Sequence, residues 1–366
     1  MARLSYAIIT GAIDIHTATR SYERWLGRQT TTVPADLRRK HQRMRESAFV
    51  FLRGTFYRWM QIWPDRCAAL DEGPRVLGAG DLHLENFGTW RDVKGRLVWG
   101  VNDVDEACEI PYSLDLVRLA TSAVLAIREG HITVSARAAC AAILAGYTAS
   151  IDRGGKPFVL DRGHRWLTRV ALSRLRNPGR YWKKLMAFPV ATGRVPRTAL
   201  RAQMPDPTLP FRVLHRIAGV GSLGRQRFMA IAIGGDGPVA REAKALLPSA
   251  AAWARGKKHP HIHVAEILKD AVRDADPSFV VSGPWMFRRL APDCARIEIA
   301  DLPAVRDELK LLHAMGWETA NLHLGSARRK IATHLAAQNV RWLEDSAHVM
   351  AAATVADWRA WRRTPR

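Results

Sequence analysis

Two periodicities divide the chain. Between Leu114 and Glu129 the sequence LDLVRLATSAVLAIRE carries apolar residues at three- and four-residue spacings, which predicts a buried helix. A second, alanine-rich helix is expected from Ser135 to Ile151, broken by Gly154-Gly155. Just upstream the pattern differs. Val76 and Leu77 lead into Gly78-Ala79-Gly80 and a polar cluster of Asp81, His83, Glu85 and Asn86. An apolar-aromatic run follows, then the turn Asp92-Val93-Lys94-Gly95, then the alternation Leu97 to Val101, ending in Asn102, Asp103, Asp105 and Glu106. That order reads as strand, polar loop, hairpin and acidic loop.

Elsewhere, Pro34 predicts a helix starting near Asp36, and Ser47 to Trp63 is strongly apolar and aromatic around Arg53-Gly54. A proline-rich joint from Pro205 to Pro210 precedes a change to alternating strands. Phe211 to Gly235 reads as strand, glycine loop, strand, with Gly219, Gly221, Ser222 and Gly224 in the loop; a third strand, Pro238 to Lys244, follows directly. A helix is expected from His263 to Arg273 and a strand from Trp285 to Leu290. The end, Leu302 to Trp361, reads as helices, with Val305, Leu309, Leu312 and Met315 at helical spacing. Those helices read as core supports. His313, Glu318 and His323 lack a tight metal-binding spacing and are expected to be satisfied groups.

Composition narrows the class. A 48% apolar fraction with 13 tryptophans describes a folded globular chain, and 366 residues are enough for two lobes or domains. Cys67, Cys108, Cys140 and Cys294 are scattered without metal-ligand spacing, so a reduced, cytoplasmic setting is expected. No apolar run is long enough to cross a bilayer, and the opening MARLSYAIITGAIDIH is interrupted by Gly11 and Asp14, so neither signal peptide nor membrane span is expected. The net charge of +22 implies attraction to anions, whether nucleotides, phosphorylated metabolites, nucleic acid or acidic lipid, and disfavours a cationic aminoglycoside substrate. An arginine-rich compositional bias gives the same excess, so charge alone does not choose among anions. From Asp161 to Arg201 the chain is very basic, including Arg162, Arg165, Arg169, Arg174, Arg176, Arg180, Lys183 and Lys184, with Trp166, Tyr181 and Trp182 interleaved. Such interleaving suits stacking on nucleic-acid bases. An amphipathic helix with a solvated arginine face explains it equally and takes precedence, because no nucleic-acid motif accompanies it.

The acidic cluster carries the candidate chemistry. Closing the hairpin returns Asp103 beside Asp81 and Asn86, placing two carboxylates and an amide together. Phosphoryl transfer needs oxygen ligands for Mg²⁺ and a carboxylate that orients the attacking hydroxyl. Asp81 is the candidate base and Asn86 and Asp103 the candidate metal ligands, with Asp105 a rival to Asp103. His83 is expected to pack the loop. Glu85, Asp92 and Glu106 are expected to be solvated turn formers.

DLHLEN, a hairpin and an apolar-Asp-x-Asp loop resemble the catalytic and metal-binding loops of the protein-kinase-like fold, closest to its aminoglycoside and choline kinase branch. GDLHLENFG, NDVDEA and SLDLVRLATS also resemble a bacterial family known only as a domain of unknown function. The resemblance implies that Asp115 supports the catalytic loop, and that Arg53, in a Phe-x-Arg-Gly string, faces the site to hold a phosphate. A core partnership between Arg53 and a buried carboxylate is the other reading. The glycine loop joins two strands, as a kinase phosphate-covering loop does, and not a strand and a helix, as a dinucleotide fold requires. Lys244 is then the candidate phosphate-gripping cation, with Arg241 its competitor and Glu266 a candidate carboxylate partner. Because the glycine loop follows the catalytic aspartate, the resemblance implies an α+β, two-lobed kinase-like fold that is circularly permuted. Residues 1–74 would be a helical segment of the large lobe, 75–205 its catalytic loops and helices, 206–300 a β-rich nucleotide lobe, and 301–366 helices returning to the large lobe. The activity expected is ATP- and Mg²⁺-dependent phosphotransfer to an unidentified acceptor, small molecule or protein. Nucleotidyl transfer, a nucleotide-binding pseudo-enzyme and a basic nucleic-acid-associated module are the other readings.

Overall fold

A computed structural model describes residues 13–160, 164, 166–168, 177–235, 237–294, 296, 307–325 and 327–363. Arg162, Arg165, Arg169, Arg174 and Arg176 of the basic segment, Leu302 and Val305, and the opening residues 1–12 lie outside it. The described residues form a mixed α+β structure. Five helices open the chain: α1 (Ile15–Gln29), α2 (Pro34–Arg43), α3 (Ala48–Gly54), α4 (Phe56–Arg66) and α5 (Ala68–Asp71). Pro34 occupies the first turn of α2, where its missing N–H costs nothing.

The segment that carries the acidic cluster forms two small antiparallel sheets. Strand β1 (Arg75–Gly78) pairs with β4 (Cys108–Pro111), and β2 (Phe87–Arg91) pairs with β3 (Leu97–Val101), which also meets β5 (Phe158–Val159). Helix α6 (Tyr112–Arg128) leaves β4 directly. It is buried on every side from Tyr112 to Ala126, so it sits at the centre of the helical core. Replacing Leu116 or Leu119, both wholly buried, with alanine would cost about 2–5 kcal/mol. Helix α7 (Ala136–Arg153) is capped by Ser135, whose side chain accepts from the Ala138 N–H, and ends at Gly154 in the left-handed conformation. It crosses the helix Glu308–His323 at close range. A side chain on Gly146 would run into the His313 carbonyl, and one on Gly316 into that of Ile143.

The second half builds a five-stranded antiparallel sheet in the order β6 (Phe211–His215), β7 (Arg227–Gly234), β8 (Gly237–Ala245), β10 (Trp285–Leu290), β9 (Val280–Ser282). Two separate apolar clusters cover its faces. One gathers Leu200, Val213, Phe228, Ala243 and Phe287, the other Leu185, Leu214, Met229, Ile231 and Leu290. Residues 178–204, expected with the large lobe, therefore pack with this sheet, through the helices Pro178–Met186 and Arg197–Ala202. Tyr181 and Trp182 pack on the second cluster, which explains the aromatic interleaving by amphipathic packing. No helix among the described residues is long and apolar enough to cross a membrane.

Candidate functional site

The polar loop after β1 is held from beneath. Asp115, wholly buried in the first turn of α6, accepts the N–H groups of Ala79 at 2.7 Å and Gly80 at 2.9 Å, and lies 3.1 Å from His323 Nε2. A carboxylate gripping two consecutive amides fixes where the next residue, Asp81, must project. One Asp81 oxygen, Oδ1, takes a 3.1 Å bond from Arg118 Nε and a second contact from the same guanidinium. Arg118 is itself wholly buried on α6, over the faces of Phe56 and Trp59. Burial raises the Asp81 carboxyl to about 6, against the pull of Arg118.

The two loops are welded by the hairpin. Phe87 pairs with Val101, and the Asn102 N–H donates to the Asn86 carbonyl at 2.9 Å. The Asn86 amide nitrogen donates to the carbonyls of Asp81 at 3.2 Å and Asp103 at 2.9 Å, while its side-chain oxygen is buried without a donor. Asp105 Oδ1 is likewise buried and unpaired. Lys244, at the end of β8, closes the site from the five-stranded sheet. Its ammonium pairs with Asp105 and lies 3.6 Å from Asp103, whose other oxygen receives Arg296 at 3.1 Å. Burial pulls Lys244 down to about 8. Burial works against charge on Asp103, but Lys244, Arg296 and Arg288 prevail and hold its carboxyl well below the usual range.

The glycine loop between β6 and β7 forms the roof. Gly219 has φ +72°, which favours glycine. Gly221 lies against the polar loop, since a Cβ there would sit 3.1 Å from Asp81 Oδ2 and 3.0 Å from the Arg53 carbonyl. Lys40 Nζ donates to the Gly221 carbonyl at 3.2 Å, and Arg227 Nη1 to that of Ala218 at 2.5 Å and to Ser222 Oγ at 3.3 Å. At the far end Arg225 pairs with Glu106, which also accepts the Ala250 N–H at 2.6 Å. Asp81, Asn86, Asp103, Asp105, Lys244 and Gly219–Ser222 thus line one cavity. It is small, about 30 Å³.

The remaining expectations divide. Arg53 lines the cavity and also pairs with the buried carboxylate of Glu85 at 2.5 Å. Gly224 ends the loop in a left-handed conformation, φ +96°. Arg241 is on the opposite face of β8 from Lys244 and donates to the Gln203 carbonyl, away from the cavity. Glu266 does not meet Lys244. It lies on the short helix Val264–Asp270, against His261 at 2.6 Å and His263 at 2.7 Å. These three side chains keep their ligand atoms within 4.8 Å of one another. Glu85, Asp92 and Glu106 are buried and not solvated, each held by an arginine: Arg53, Arg96 and Arg225; Asp92 does form its turn, its carboxylate accepting the N–H groups of Lys94 and Arg96 at 2.9 Å. His83 is buried, with burial keeping its ring neutral, and accepts the Glu85 N–H while lining the cavity. Sequence reasoning missed Arg118, Lys40, Arg225 and Arg296. Arg118 had a signal, as one of two charges, with Asp115, inside the apolar repeat of α6.

Residues 30–177 match the model of a family described as an uncharacterized protein conserved in bacteria (DUF2252). No curated protein matches the chain, and no solved structure does. The matched stretch contains Arg53, Asp81, Asn86, Asp103 and Asp105; the glycine loop and Lys244 lie beyond it.

Proposed function

We propose that the chain is an ATP- and Mg²⁺-dependent phosphotransferase of kinase-like, circularly permuted architecture, acting on an anionic or neutral acceptor hydroxyl. One observation carries the reading. Asp81, Asn86 and Asp103 from one stretch meet a strand-joining glycine loop and a third-strand lysine from another, in a single cavity. Those are the parts that phosphoryl transfer needs. Asn86 and Asp103 would hold the metal, with Asp105 beside them; the buried, unpaired oxygens of Asn86 and Asp105 are hard donors suited to Mg²⁺. A divalent ion bound there would neutralise charge on the transferring phosphate.

The protein's own groups do the rest. Lys244 grips a donor phosphate, and the loop's backbone N–H groups cover the chain of phosphates. Asp81 Oδ2, the oxygen not taken by Arg118, orients the acceptor hydroxyl and takes its proton as the oxygen bonds to the terminal phosphorus and the bridging bond breaks. The cavity is about 30 Å³, so this reading requires the glycine loop to move aside for a triphosphate.

Binding without turnover is the second reading, favoured by the closeness of Gly221 to Asp81. The test is Mg²⁺-dependent ATP consumption in the wild type and in Asp81→Asn. The phosphotransferase reading expects ADP formation in the wild type and its loss in the variant, with ATP binding retained. ATP bound without turnover by the wild type favours the pseudo-enzyme, and pyrophosphate as product marks nucleotidyl transfer.

A further inference from the structure

Behind the catalytic cavity lies a second chamber of about 150 Å³, sharing Gly219 and Arg296 with it. That is roughly ten times the space one water requires, so it admits a multi-atom group. Small-molecule sites are ordinarily apolar with a few polar groups. This one is walled by Arg216, Arg227, Arg288, Arg289 and Arg296, with Leu290 and Ala218 among its few apolar residues.

The carboxylates that face these arginines do not balance them. Arg216, Arg227 and Arg288 converge on one acid, Glu242, wholly buried and held at about 2: burial opposes its charge, but the three guanidinium groups prevail. Arg289 shares Asp293 with Arg91, and Arg296 shares Asp103 with Lys244. Asp276 also lines the chamber, its carboxyl raised by burial. The Nε atoms of Arg216 and Arg288 are buried without an acceptor. Burying surplus guanidinium charge is costly unless an anion completes it, and the planar fork of arginine matches phosphate oxygens.

We propose that the arginine chamber is a phosphate subsite, which takes phosphate groups of a polyphosphate or phosphorylated substrate whose reacting end lies at Asp81. It deepens the phosphotransferase reading but does not require turnover, because the chamber binds anions whether or not transfer occurs. The chamber excludes a bare purine, which would find neither an apolar slot nor charge complementarity there.

Titration calorimetry with inorganic tripolyphosphate, without Mg²⁺ and at fixed ionic strength, tests it on the whole chain. The wild type should bind tripolyphosphate at least tenfold more tightly than sulfate. Arg288→Met should lose tenfold or more, and the more exposed Arg289→Gln at least threefold, with melting curves showing both folded. Arg180→Gln, on the exposed face of the helix Pro178–Met186, should bind as the wild type does. ATP that displaces tripolyphosphate identifies the donor's own tail as occupant, and simultaneous binding identifies a phosphorylated acceptor; both support the subsite. Equal affinity for sulfate and tripolyphosphate, or undiminished binding by both arginine variants, overturns it. Absence of ATP turnover would overturn only the phosphotransferase reading.

Discussion

Lys244 and Arg241 are three residues apart on β8, and the pleat sends them to opposite faces. Only Lys244 reaches Asp103 and Asp105, so the two variants should separate sharply. On the phosphotransferase reading proposed above, Lys244→Met removes a preorganised cation and should lower kcat/KM for ATP by about 10²–10³. Arg241→Met, which loses bonds to the Gln203 and Ala240 carbonyls outside the cavity, should leave it within a factor of about 3. Steady-state kinetics on both variants checks this; equal losses would contradict the placement of the cation. Gly221→Ala is a second residue-scale case. Its methyl would press on the Arg53 carbonyl and on Asp81 Oδ2, so turnover should fall by about 10²-fold, as misplacing a reacting group does. Overall stability should change little. A spacing of residue types made Asp81, Asn86 and Asp103 legible in the sequence, because chemistry dictates those types. Their partners were less legible: Arg118 stands out only as a charge inside an apolar helix, and Arg296 reaches Asp103 from far along the chain, where no local pattern states what it meets.

At the scale of elements, helix α6 carries the site. Asp115 and Arg118, on one of its faces, hold respectively the backbone before Asp81 and the Asp81 carboxylate itself. Asp115→Ala strands the N–H groups of Ala79 and Gly80 in a dry interior and takes the carboxylate from His323 Nε2, whose ring keeps Tyr147 at Nδ1. The loss should be about 3–5 kcal/mol of unfolding free energy, measurable by urea denaturation. A loss below 1 kcal/mol would mean that the loop is supported elsewhere. Periodicity found the helix and both hairpin arms within a few residues, because α6, β2 and β3 are buried along nearly their whole length and carry their apolar residues in local runs. It did not find that residues 178–204 join the five-stranded sheet. A pattern shows which face is apolar but not which partner covers it, and the prolines at 205–210 suggested a break that Leu185 and Leu200 bridge.

Across the whole molecule, the helix Glu308–His323 returns from far along the chain to brace both site loops. His323 reaches Asp115, and Glu318 reaches β3, where its carboxylate lies against Gly100. Glu318 is wholly buried and accepts the Asn321 amide at 2.7 Å. Burial raises its carboxyl from 4.5 to about 8, although Arg273 and Asn321 pull the other way. The sign follows from linkage: an acid whose folded value exceeds its unfolded value stabilises the fold below about 4.5, and that contribution is lost as pH climbs through 8. Glu318→Gln keeps the shape and removes the titration. Relative to the wild type, the variant should therefore gain on the order of 2–4 kcal/mol between pH 5 and pH 8, and no more beyond pH 9. Melting temperatures of both proteins across that range read the gap directly. A gap that stays constant with pH would show that Glu318 is already ionised in the fold, paired with Arg273, and that the brace on β3 is an ion pair and not a neutral hydrogen-bonded acid.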